Sequence, residues 1–148
     1  MKAMLFHIGR ERYALPLAAV QRVLPVARLK ALPGAPHYVP GLLDLHGEPV
    51  PVIDLSRLAG SPPDAVRYDT RILLVEVAAL GRMRRLGLKA ERVAGVADLG
   101  ARLAEGGVAA APWLGRIAAV EPGLVQLLEP ARLLAPEVER QLFGDAAP

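Results

Sequence analysis

Apolar side chains recur at every second position through much of the chain, the period of a strand with one buried face. Met4, Phe6 and Ile8 alternate with Leu5 and His7. Gly9-Arg10-Glu11 then turns the chain into a second run in which Tyr13, Leu15 and Leu17 share a face, so a hairpin is predicted. Leu17 to Val26 opens with a helical-looking turn and passes into a third extended run, followed by a loop stiffened by Pro33, Pro36 and Pro40. Leu43 and Leu45 next alternate with Leu42, Asp44 and His46, and the turn His46-Gly47-Glu48 leads into a strand from Val50 to Leu55. Pro49 and Pro51 cannot donate to a ladder, so this strand is predicted to be an edge, bulged or half-bonded.

Asp54 is placed to cap one helical turn over Ser56 to Ala59, which Gly60 ends. Ser61 to Thr70 reads as a surface loop. The apolar density of Arg71 to Val77 predicts a buried strand, and Leu86 to Val96 an antiparallel partner across the turn Gly81-Arg82-Met83-Arg84-Arg85. Parity slips at Arg92, which predicts a bulge, and residues 98–112 have no clear period. Trp113 to Val120 and Leu124 to Leu128 make a last hairpin, with Glu121-Pro122-Gly123 suited to a type II turn. Short helices are expected at Ala131 to Leu134 and, after Pro136 at a first helical position, at Glu137 to Phe143. Val52 to Ala59 echoes Leu127 to Leu134: apolar pair, acid, two residues, Arg-Leu, apolar. The echo marks two equivalent halves or is chance.

Composition narrows the fold class. Fourteen Gly and 14 Pro break nearly every apolar run of a 148-residue chain that is 53% hydrophobic. Many short strands around one continuous core, or two small abutting ones, follow. The expectation is an all-β protein, residues 1–148 forming a single domain. No stretch approaches the roughly 20 apolar residues of a membrane helix, and Met1 to Phe6 is too short for a secretory core, so cytoplasmic residence without membrane insertion is expected. The absence of Cys removes disulfides and thiol chemistry together.

Candidate chemistry is sparse. No nucleophile motif, phosphate loop or H-E-x-x-H is present, so no catalytic residue, metal ligand or cofactor is expected. Asp44 and His46 would share one strand face about 6 to 7 Å apart, a weak two-ligand arrangement better read as a polar strand face. Trp113 reads as a plug between two halves ahead of an interface anchor. A net charge of +3 raises nucleic acid, but only residues 81–85 are dense in arginine, and two Phe, three Tyr and one Trp offer little stacking surface. A solvated turn is the simpler reading, and no nucleic-acid partner is expected.

The stretch LPGAPHYVPGLLDLHGEPVPVIDL, Leu32 to Leu55, resembles the central signature of CheW-like domains, adaptors that couple bacterial chemoreceptors to a CheA-type histidine kinase. Tyr13 to Pro16 with Val20-Gln21, Thr70-Arg71-Ile72 and Leu86 to Val96 carry the resemblance along the chain. Both chain ends look like the short adaptor of Wsp-type surface-sensing pathways. The resemblance implies two intertwined five-stranded SH3-like barrels, with residues 136–148 as a C-terminal helix and tail. It implies a monomer, alone or within a receptor–kinase array, that binds the P5-like regulatory domain of the kinase and the cytoplasmic tip of a chemoreceptor. Val20, Gln21, Arg22, Val23, Pro40, Asp44, His46 and Gly47 match the receptor-facing positions, and the strand runs at both ends of the chain would supply kinase contacts. Family members usually carry Glu at the position of Arg22 and Arg at that of His46. Here an Arg22–Asp44 pair is the expected replacement. A rival reading is a small anion-binding β-barrel or enzyme using Arg22, Asp44 and His46. A third is an RNA-binding barrel working through Arg82, Arg84 and Arg85.

Overall fold

The computed structural model describes residues 1–144. Strands β1 (Lys2–Ile8) and β2 (Glu11–Pro16) form the first hairpin, and a 3-10 turn at Leu17–Ala19 leads to β3 (Val20–Pro25). Then follow β4 (Gly41–Leu45), β5 (Glu48–Asp54), α1 (Leu55–Leu58), β6 (Arg71–Ala79), β7 (Arg82–Ala90) and β8 (Val96–Asp98). The last elements are β9 (Leu114–Val120), β10 (Gly123–Leu128), a 3-10 turn at Pro130–Arg132 and α2 (Pro136–Phe143).

Ten strands make two five-stranded sheets, ordered β8-β1-β2-β10-β9 and β3-β6-β7-β5-β4. Both follow one plan. Each has a central hairpin, β1–β2 or β6–β7, whose second strand takes a parallel neighbour, β10 or β5, itself the second strand of an outer hairpin. The two ends of the chain build one sheet and its middle builds the other, so the halves are intertwined. Single antiparallel bridges, Lys30 to Leu42 and Ala104 to Ile117, tie the segment after β3 to β4 and the segment after β8 to β9. The echo of Val52 to Ala59 in Leu127 to Leu134 therefore marks equivalent places, the parallel strand and the helical turn after it. Even the i,i+3 ion pairs repeat, Asp54 with Arg57 at 3.7 Å and Glu129 with Arg132 at 3.5 Å.

Burial explains why several strands read as continuous apolar runs. Phe6, Leu15, Ile53, Leu73, Leu88, Trp113 and Leu128 meet in a core shared by the two sheets. The opposite faces close on their own barrels, with Ala3, Ala14, Ala118 and Leu127 inside one and Leu43, Val50, Val52 and Leu74 inside the other. On β6 the two sets alternate without a gap: Ile72 and Leu74 face the barrel, Leu73, Val75 and Val77 the shared core. Trp113 is the expected plug.

Asp54 caps α1, its Oδ1 accepting from the N–H groups of Ser56 at 3.1 Å and Arg57 at 3.4 Å. The carboxylate is buried, with Lys89 Nζ at 3.9 Å. Removing it strands two backbone donors and a half-buried ammonium, so Asp54→Ala is expected to cost about 2 kcal/mol in urea unfolding, and Asp54→Asn less because one acceptor survives. Equal losses for the two variants would mean that the cap contributes nothing.

Several local expectations need correction. Strand β5 is not an edge. Leu42 directs its N–H and C=O at Lys30, so the opposing Pro51, and Pro49 two residues back, lie at non-hydrogen-bonded sites where no N–H is required. Pairing with β7 starts only at Val52, past both prolines, which is the half-bonded alternative. The arginine-rich stretch is strand rather than turn. Leu80 and Gly81 alone, with φ of 52° and 75°, reverse the chain, and Arg82 to Arg85 pair with Ala79 to Glu76. Arg92 marks no bulge: β7 ends at Ala90, Arg92 has φ 49°, and Val96–Asp98 joins the other sheet. Leu17 leaves the strand face for the 3-10 turn and is exposed. The β9–β10 turn contains a cis Glu121–Pro122 bond with Pro122 third in the turn, hence type VI rather than type II. Helical backbone around Ala131 is a 3-10 turn over Pro130–Arg132, and residues 145–148 of the predicted tail lie outside the described residues.

Candidate partner-binding surface

The residues singled out from the sequence fall at the two ends of the second sheet. Strand β3 pairs only with β6, and a register shift between Val20 and Arg22 breaks its alternation. Val20 packs at the margin of the shared core, while Gln21, Arg22 and Val23 are exposed, Val23 to 43%. At the opposite end of the sheet, half-buried Pro40 delivers the chain to Gly41, whose backbone passes directly over Lys30. The proline-rich loop before it is anchored by Val39, which is buried, and by the Asp54 N–H donating to the Tyr38 carbonyl at 2.8 Å. Burial raises the Tyr38 phenol above its usual range, so it stays neutral.

Asp44 and His46 do not share a strand face. His46 and Gly47, with φ of 51° and 90°, are both left-handed and form a two-residue hairpin turn that ends the alternation at Leu45. Asp44 Oδ1 accepts from the Gly47 N–H at 2.7 Å, so the carboxylate stabilises its own turn. The expected Arg22–Asp44 pair is not formed, because the two residues lie on opposite end strands of the sheet. Arg22, Asp44 and His46 therefore make no catalytic or anion-binding cluster. Among the described residues no group of three or more His, Cys, Asp or Glu could hold a metal ion.

The structure adds two residues that the sequence reading passed over. Closure of the sheet by the Lys30 bridge places Arg28 and Lys30, both exposed, along a groove of about 460 Å³ that Leu42 and Asp44 also line. A second groove, of about 410 Å³, lies between Lys30, Leu42, Gly47 and Pro49. Their signal was present as Arg28-Leu29-Lys30, a polar-apolar-polar alternation whose Leu29 packs on the second barrel's interior. Two of the three arginines of β7 are otherwise engaged: Arg84 lies over the Phe143 ring at 5.6 Å and Arg85 meets Glu48 at 3.5 Å.

A family model, the CheW-like domain, matches residues 2–137. The chain belongs to the CheW-like domain family. The match runs from β1 into α2 and takes in both sheets of this CheW-like domain. Among curated proteins it is 33% identical over 70 residues to a chemotaxis protein CheW of Helicobacter pylori, covering 47% of this chain and 42% of that protein. It is 31% identical over 71 residues to protein PilI of Pseudomonas aeruginosa, covering 48% and 40%. These alignments thus span less than half the length of either relative. A crystal structure of the scaffolding protein TtCheW from Thermoanaerobacter tengcongensis superposes with a TM-score of 0.82 at 23% identity, covering 93% of this chain and 89% of that one. That likeness establishes the fold of paired SH3-like barrels. No helix among the described residues is long and apolar enough to cross a membrane.

Proposed function

We propose that this CheW-like domain is a non-catalytic scaffold that couples a chemoreceptor to a CheA-like histidine kinase in chemosensory signalling. The observation that carries the reading is strand β3, an end strand with one bare edge that displays Gln21, Arg22 and Val23 to solvent. An unpaired edge that exposes an aliphatic side chain next to polar ones is a surface built to be covered. The receptor tip covers this surface, and the P5-like regulatory domain of the kinase, of the same fold, packs elsewhere on the barrels. The protein acts as one domain in the cytoplasm.

The test is co-sedimentation with the cytoplasmic fragment of a receptor and the kinase from the same genome. Arg22→Glu is expected to weaken receptor association about tenfold while urea stability stays within about 0.5 kcal/mol of wild type, since the side chain is exposed and unpaired. Undiminished receptor association of the variant would remove β3 from the interface.

A further inference from the structure

The grooves beside β4 are rimmed by two cations of the closing segment, Arg28 and Lys30. Both are exposed, and neither has an ion-pair partner among the described residues. Of the acids nearby, Glu48 meets Arg85, while Asp44 caps its own turn and lines both grooves, one carboxylate against the two cations. Two unpaired cations two residues apart repel one another and add nothing to the fold, so their use lies outside the chain. Beneath them the two grooves have apolar floors, with Leu42 in both and Leu43 and Pro49 in one.

We infer that the partner segment received by this surface is acidic and amphipathic. Its apolar residues sit on Leu42 and Pro49, and its carboxylates pair with Arg28 and Lys30. This inference rests on the adaptor reading and specifies the chemistry of the partner face. A protein segment fits better than nucleic acid, because no aromatic side chain lines either groove to stack a base. It also fits better than a lipid surface, because the cations rim concave apolar grooves rather than a protruding apex. Arg28 and Lys30 become specificity-determining residues. They attract acidic segments and, being unable to leave, reject basic ones.

Two measurements test this. The first repeats co-sedimentation with the receptor fragment across a salt series from roughly 0.05 to 0.3 M. Wild-type affinity should fall several-fold over the series. The Arg28→Glu/Lys30→Glu double variant should bind at least tenfold more weakly at low salt, and the Gln/Gln double variant should fall between. Salt-independent binding, or full affinity in the Glu/Glu variant, overturns the proposal while leaving the adaptor reading standing. The second is independent of that reading and uses two synthetic amphipathic peptides, alike except for glutamate or lysine on the polar face, followed by fluorescence anisotropy. Tighter binding of the glutamate peptide by at least tenfold, lost in the Glu/Glu variant, supports the proposal. Equal or reversed preference overturns it, as does binding of phosphatidylglycerol vesicles or single-stranded RNA that the variant abolishes while peptide binding is unchanged. If the receptor fragment fails to bind wild type but the glutamate peptide binds, the adaptor reading falls and the acidic preference remains.

Discussion

Phe6→Ala is expected to destabilise the protein by about 3–5 kcal/mol, the range for truncating a fully enclosed aromatic ring. Phe6 has no exposed surface, and its ring stacks on that of Tyr13 at 6.2 Å. It belongs to the shared core, whose walls come from both sheets: Leu15 and Leu128 from one, Leu73 and Leu88 from the other. Neither sheet can close over the void alone, because each is already packed on its barrel side by small or aliphatic residues. A domain of this kind typically has about 5–15 kcal/mol in total, so the loss is a large part of it. Urea unfolding by far-UV circular dichroism measures it, with a lower midpoint and an unchanged slope. A loss below about 1 kcal/mol, or amide protection reduced in one sheet and kept in the other, would show that the two barrels are stabilised by separate cores.

The alternation that makes Phe6 a core residue is readable in the chain, and so are most strands, because a side chain's parity depends only on its neighbours. Val52 to Ala59 and its echo left two equivalent halves and chance both open, and the sheet topology decides for the halves. Three kinds of information escaped. Left-handed turns at His46-Gly47 and Leu80-Gly81 use His and Leu where Asn or Asp is the usual signal, so both turns were read too long. Charge density hid the first half of β7, since arginines at 82, 84 and 85 resemble a solvated turn until pairing with β6 and the contacts of Arg84 with Phe143 and Arg85 with Glu48 are seen. Most consequential was spatial order. Arg22 and Asp44 are complementary in charge, but strands three, six, seven, five and four lie in that order, and no local pattern reveals which strands end the sheet. For the same reason Arg28 and Lys30 looked like linker residues until the Lys30 bridge placed them against β4.

Gly41→Ala should be costly twice over, in stability and in binding. A Cβ at residue 41 would stand 2.3 Å from the Lys30 carbonyl oxygen and 2.9 Å from its carbon, closer than atoms that are not bonded can approach. The contacts are backbone, so no side chain can swing aside. That close passage is what lets Lys30 and Leu42 exchange hydrogen bonds, Lys30 N–H to Leu42 O at 2.9 Å and Leu42 N–H to Lys30 O at 2.8 Å. Forcing the segments apart sacrifices both bonds and opens the second barrel above Leu43 and Val50, an expected loss of about 2–4 kcal/mol. Gly34→Ala is the control. Gly34 also has positive φ, 86°, but nothing lies within 4 Å of its added Cβ, so only the backbone preference is lost, about 1 kcal/mol. Binding separates the two variants further. Arg28 and Lys30 are held along β4 by this bridge together with the packing of Leu29, so Gly41→Ala should bind the receptor fragment or the glutamate peptide at least tenfold more weakly under conditions where it remains folded, and Gly34→Ala should bind as wild type does. A Gly41→Ala protein that is destabilised yet retains full affinity would separate barrel closure from recognition and assign the partner contact to β3 alone.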